Sequence, residues 1–282
     1  MRGLLGWLIW RMLPAQVPFT TQPFPLGLAR FADLTWLADP AAFGWLRLIA
    51  LPAIALYVLG VAPLLAIGYL AALLTACGAL ENAQGAIGHH LQLLCLVLIA
   101  QWLVHAFAAA RARPGAPRGL VRPGADTHNR AAQAAKLMIA AAYVASGWTK
   151  LIASKGLWIA QLPDISLQLV KTHANTYYDT LITPTGWSAE LPRLIAAHPQ
   201  LTRLAFTPGL LLELGAALAL TGRRAGCAVG LGLLAMHLLA RVVMELGFLA
   251  HEWLLVIFFV NVPWLVCSVL TRRCGGPPVE QR

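Results

Sequence analysis

The chemistry available to this chain of 282 residues lies in ionisable side chains set among apolar ones. Lys150 follows Tyr143 and Ser146 at i, i+3 and i+7, a spacing that predicts one helical face. His237, Arg241 and Glu245 recur at steps of four and predict a second such face, while Glu213 sits inside a third apolar stretch. His89 and His90 open a segment that continues to Gln101 and His105. At about 100° per residue, His90 and Gln101 differ by about 20°, so these groups form one polar stripe. Lysine is the cation whose neutral amine a dry setting makes accessible, and a nearby histidine can relay or supply a proton. The pattern therefore points to proton abstraction from a lipid-soluble substrate, with Lys150 as base.

Each of these residues also has a structural reading. Lys150 can snorkel to the headgroups from a helix end. His89 and His90 can bond across a helix bundle. Arg241 and Glu245, at i and i+4, can form an ion pair that neutralises the interior, and Glu213 can be such a partner too. Lys136, His105, His128, His173, His198 and Arg47 read as surface, interface or packing residues. His251 and Glu252, at the start of the last apolar segment, line a site mouth or mark the interface.

The surroundings are those of a membrane. Hydrophobic residues make up 59% of the chain and charged residues 11%, against about a quarter in a soluble domain. The expected fold is all-α, a polytopic transmembrane bundle of about seven spans with no sizeable soluble domain. A span needs about 20 apolar residues, so the stretch 41–80 holds two, broken at Gly60 and Pro63. The expected helices run near 41–59, 62–80, 86–110, 131–152, 204–220, 225–247 and 252–270. Residues 1–40 form an interfacial N-terminal segment marked by Arg2, Trp7, Trp10 and Arg11. Residues 153–203 form an outer-face region rich in aromatics, and 271–282 a tail.

Charge sets the orientation. Lys and Arg number 21 against 11 Asp and Glu. The arginines gather at Arg111, Arg113, Arg118, Arg122 and Arg130, at Arg223-Arg224 and at Arg272-Arg273. All three groups fall on one side of a seven-span layout, which the positive-inside rule makes cytoplasmic. The chain is thus expected in an inner membrane, with its N-terminus and 153–203 in the periplasm and its C-terminus in the cytoplasm. His90, Lys150, His237, Arg241 and Glu245 then share the outer half of the bilayer. Arginines scattered among apolar segments argue against nucleic acid as a partner. The five cysteines have no metal-ligand spacing, so no metal is expected.

The run Tyr143-Val144-Ala145-Ser146-Gly147-Trp148-Thr149-Lys150-Leu151, followed by Trp158, resembles a pattern of the vitamin K-dependent gamma-carboxylases and the wider HTTM (horizontally transferred transmembrane) superfamily. In that pattern the lysine deprotonates the quinol form of vitamin K. Gly88-His89-His90-Leu91 resembles the family's Asn-His segment, with His89 in the Asn position and His90 in that of the functional histidine. Leu210 to Ala216, containing Glu213, and Met236-His237 with Gly247-Phe248 resemble its acidic and His-containing helices. Asp39 to Arg47 resembles its approach to the first span. The likeness extends over about Asp39 to Val266. Thr149 departs from the family's second lysine, and the chain has no large lumenal region of the kind that grips a substrate protein.

The resemblance implies an intramembrane enzyme, carboxylase-like or quinol-oxygenase-like, acting on a reduced quinone. It casts Lys150, His90 and His237 as catalytic, with His89, Tyr143, Ser146, Glu213, Arg241 and Glu245 shaping the substrate pocket. An exported peptide or small molecule is the second substrate. Two alternatives stand beside it: a non-catalytic maturation or assembly factor for an exported protein, and a DoxX-like subunit of a quinone-linked redox complex.

Overall fold

The computed structural model describes residues 1–85, 88–111, 121–183, 185–260 and 262. Arg113, Arg118, Arg272-Arg273, the end of the seventh expected span and the tail lie outside these residues. The described chain is helical, without a strand. It divides into two compact units, Met1–Ile139 with the segment from Val256 onward, and Ala140–Leu255.

The first unit contains α1 (Arg2–Met12), α2 (Pro40–Leu59), α3 (Pro63–Asn82), α4 (Gln92–Ala110) and the start of α5 (Ala125–Ala153). Asp39 caps α2 by accepting from the Ala41 and Ala42 N–H groups, and Pro40 pre-sets the first turn. The helix stops at Gly60, whose φ of 71° suits a residue without Cβ. Pro63 then starts α3. α2, α3 and α4 are each long and apolar enough to cross a membrane, and close to the expected bounds. α4 begins at Gln92, so His89 and His90 stand in the turn before it and not on the helix.

α1 departs from the interfacial helix expected of it. Leu5, Leu8 and Ile9 are fully buried, and Gly6 meets Ile54 and Val58 of α2. Arg2 reaches Gly60, and Arg47 stacks over Trp10 and donates to the Ala15 carbonyl, so α1 runs antiparallel to α2. A non-helical stretch follows, and Phe24 N–H donates to the Ala83 carbonyl at the far end of α3. An 11-residue helix is only about 16 Å long. The N-terminal segment nevertheless passes from one end of the α2–α3 pair to the other, because irregular chain completes the path. Backbone of that kind is tolerated at membrane depth where protein covers it, and Leu13 and Val17 are buried.

This path brings the N-terminus to the turn between α2 and α3. Ala62 N–H donates to the Val121 carbonyl, which puts the α2–α3 turn beside the segment leading into α5. Met1 and Arg2 line one cavity with His128 and Asn129 at that same end. The N-terminus and the start of α5 therefore share one end of the unit.

The second unit contains the rest of α5, then α6 (Ile165–Thr180), α7 (Trp187–Ala197), α8 (Pro199–Leu214), a 3₁₀ stretch (Ala216–Leu220), α9 (Arg223–Met244) and α10 (Leu249–Leu255). The expected outer region 153–203 is thus largely helical. α9 is long and apolar enough to cross a membrane. Glycines set the close approaches. A Cβ on Gly147 would stand 2.9 Å from Leu214 Cδ2 and 3.3 Å from its backbone nitrogen, and one on Gly232 would stand 2.9 Å from Leu212 Cδ2. Small residues let helix backbones come together where lipid supplies no hydrophobic drive for association.

Candidate functional site

The second unit carries a polar cluster built on α5, α8, α9 and α10. The i, i+3, i+7 spacing of Tyr143, Ser146 and Lys150 does put them on one face of α5. Gly147 on the same helix admits the end of α8, which brings Glu213 to that face. Lys150 Nζ donates to Glu213 Oε1 and Oε2, each at 2.5 Å, and Ser146 Oγ donates to Oε1 at 3.4 Å. Glu213 is buried, whereas the Lys150 side chain is 35% exposed, so one partner faces inward and the other is reachable. The Nζ also lies 5.5 Å from the ring centroid of Trp158, within cation–π range.

About two helical turns before Lys150 on α5, Tyr143 Oη lies 2.6 Å from His237 Nε2, and both residues are buried. His237 packs against Phe248 and His251, with ring centroids 5.1 and 5.6 Å away. It is within electrostatic reach of Lys150 and Arg241. Arg241 Nη2 donates to Glu252 Oε2 at 2.5 Å. The other carboxylate oxygen, Glu252 Oε1, is buried without a hydrogen-bond partner among the described residues. The cluster holds two cations and two carboxylates in pairs, so it is balanced in charge.

Two sequence expectations change here. Arg241 pairs with Glu252 and not with Glu245. α9 ends at Met244, and Glu245 takes a left-handed conformation with φ 55°, which turns it off the helical face where i+4 pairing would hold. Glu245 instead accepts from Ser188 at 3.0 Å and lies 3.6 Å from His173 Nε2, while Ser188 Oγ is 3.3 Å from the same nitrogen. A serine and a carboxylate on one imidazole nitrogen cannot make the relay of an acyl-transfer triad, which needs them on opposite nitrogens.

His90 and His89 belong to the first unit. His90 Nε2 lies 3.3 Å from Glu81 Oε2, and the two line a cavity of about 210 Å³ walled by the N-terminal stretch from Met12 to Phe19. The Glu81 carboxylate holds the His90 imidazole above its usual range. His89 Nδ1 is 3.0 Å from Gln92 Oε1 on the exposed side of the turn. The structure thus brings Lys150, Tyr143, Ser146, Glu213, His237 and Arg241 into one cluster, while the described partners of His90 and His89 are Glu81 and Gln92.

Sequence reasoning left Glu252 and His251 undecided and gave Phe248 no contact with His237. The signal for Glu252 was a carboxylate at the head of an apolar segment, unpaired within its own helix. Set against known proteins, the chain matches no family model, and no curated protein and no solved structure is significantly similar to it.

Proposed function

We propose that the chain is an intramembrane proton-transfer enzyme of the HTTM type, similar to the membrane part of the vitamin K-dependent gamma-carboxylases and acting on a quinol-like lipid. One observation carries this reading: a one-third-exposed lysine donates two hydrogen bonds to one buried carboxylate, about two turns along α5 from a buried Tyr143–His237 pair. In this arrangement Glu213 accepts a proton from Lys150, and the freed amine takes one from a substrate hydroxyl. His237 and Tyr143 then offer a second route by which the proton moves on. Arg241 keeps Glu252 charged and oriented, leaving Glu252 Oε1 free to accept from a polar group of the substrate.

The residues present fit a reduced quinone. Lys150 beside the Trp158 ring offers a cation next to an aromatic face, and Phe248 packs against His237, the residue types a quinol ring and hydroxyl would need. Such a quinone supplies an acidic hydroxyl and, as the resemblance implies, a reaction with oxygen that ends in a base strong enough to act on a second substrate. About seven spans follow if α5, α8 with its 3₁₀ extension, and the apolar chain from Leu249 onward cross as well as the four apolar helices. The arginine-bearing end then faces the cytoplasm and takes the N-terminus with it.

A second reading is favoured by the pairing itself. Each carboxylate of the cluster has a cationic or hydroxyl partner, which is also what a purely structural polar core needs. Under it the protein is a maturation or assembly factor, or a DoxX-like subunit of a quinone-linked complex. The deciding experiment gives the protein reduced naphthoquinone in lipid nanodiscs and follows oxygen uptake and quinone epoxide by mass spectrometry. Epoxide that disappears in Lys150→Ala supports the enzyme. No turnover in the wild type, with lipid binding unchanged in the variant, favours the structural reading.

A further inference from the structure

The first unit contains a second polar site with the opposite electrostatic character. A cavity of about 240 Å³ lies beside Met1 and Arg2, between the end of α2, the starts of α3 and α5 and the second half of α4. Its polar lining comes from Arg2, Tyr57, Gln101, His105, His128 and Asn129, with no carboxylate. Gln101 and His105 are more than nine-tenths buried. Tyr57 Oη donates to Gln101 Oε1 at 3.1 Å, which fixes the amide and leaves its Nε2 to the cavity. That Nε2, Arg2 Nη1 and His105 Nδ1 are all buried without a hydrogen-bond partner among the described residues. His128 closes on His105 with ring centroids 5.3 Å apart.

The guanidinium is placed deliberately by the backbone around it. A Cβ on Gly60 would stand 1.9 Å from Arg2 Nη1, so only a glycine at this left-handed turn lets Arg2 lie where it does. Arg2 has no carboxylate within ion-pair range among the described residues, although six other ion pairs form in the chain. A buried donor without an acceptor costs about 1–3 kcal/mol, and an unpaired cation more. Two such donors, the Arg2 guanidinium and the Gln101 amide, together with the His105 imidazole, belong to residues that line one cavity, and the described residues supply them no acceptor.

We infer that this cavity binds a phosphate-type oxyanion, held by Arg2 and the Gln101 amide with the two histidines completing the wall. An oxyanion has several acceptor atoms and a negative charge, which answers the guanidinium and the neutral amide together. The cavity lies beside Met1 and the first turns of α3 and α5 and reaches Gln101 halfway along α4; the group arrives either on a lipid headgroup or free from the aqueous side.

The test uses the full chain in nanodiscs of phosphatidylcholine, with and without phosphatidylglycerol, alongside Arg2→Met and Gln101→Leu. Inorganic phosphate is titrated into the phosphatidylcholine sample by calorimetry, and retained lipid is identified by native mass spectrometry. If phosphate is free, it binds the wild type, and each variant weakens it about tenfold, equivalent to one lost charge-assisted hydrogen bond. If it is a headgroup, phosphatidylglycerol is retained by the wild type and lost from both variants. A thermal scan guards against misfolding: without ligand, Arg2→Met unfolds at the same temperature as the wild type or higher, because it removes an unpaired cation. Binding of neither probe overturns the inference, as does binding that both variants preserve or a lower unfolding temperature for ligand-free Arg2→Met.

Discussion

The two polar clusters of this protein solve the same problem in opposite ways. Around Lys150 each charge meets its counter-charge inside the fold: Lys150 with Glu213, Arg241 with Glu252. Around Arg2, buried nitrogens of residues that line a cavity have no hydrogen-bond partner among the described residues. Polar groups buried among apolar helices are tolerated only when satisfied. The charges of the first cluster are therefore balanced within the fold, whereas the second is proposed to be complete only with something bound. The contrast separates residues whose removal breaks a pair from residues whose removal relieves a deficit.

The largest effect should come from breaking the pair on one side only. Lys150→Met strands a buried carboxylate, and a cost of about 3 kcal/mol is expected in a reversible unfolding titration in mixed micelles. Lys150→Met combined with Glu213→Leu should recover most of that loss, since both charges then leave together. A double variant no more stable than the single one would mean that the pair is not the unit it looks.

Next in size is the approach that creates the pair. Gly147→Ala puts a methyl 2.9 Å from Leu214 Cδ2 and 3.3 Å from the Leu214 backbone nitrogen, so α8 must shift away from α5. About 1–2 kcal/mol of destabilisation is expected, with weaker coupling between Lys150 and Glu213 in a double-mutant cycle. Tyr143→Phe should cost about 1–2 kcal/mol, because it leaves His237 Nε2 buried without its partner.

The smallest effect concerns His90. Glu81 raises its pKa above the usual 6.5. A raised histidine adds stability that is fully present below the unfolded value and fades as pH climbs through the folded one. The contribution is therefore fully present well below pH 6.5 and is lost as pH rises through the raised folded value, and it is modest because both side chains are about a third exposed or more. Titration of the His90 imidazole by NMR should show the raised value and its return towards 6.5 in Glu81→Gln. An unchanged titration would remove Glu81 as the cause.

Much of this was legible in the sequence because it depends on local rules. The apolar stretches placed α2, α3, α4 and α9 within a few residues, and the Gly60 and Pro63 break lies at the turn. The helical spacing of Tyr143, Ser146 and Lys150 held, since it needs only one regular helix. What was not legible depends on where a helix stops and on which distant chain arrives. The i+4 rule paired Arg241 with Glu245, but one left-handed residue after Met244 ended the helix and left Arg241 to Glu252. Likewise, the periodicity of α1 carried no sign that the irregular chain after it would complete a path along α2 and α3.

The central claim is that Lys150 and Glu213 move a proton and do not merely hold helices together. The most direct measurement compares oxygen-dependent turnover of reduced naphthoquinone by the wild type and by the Lys150→Met and Glu213→Leu double variant, each first shown to unfold at a similar denaturant concentration. The account predicts quinone epoxide from the wild type and none from the equally stable double variant. Equal turnover by both, or none by the wild type, would contradict it.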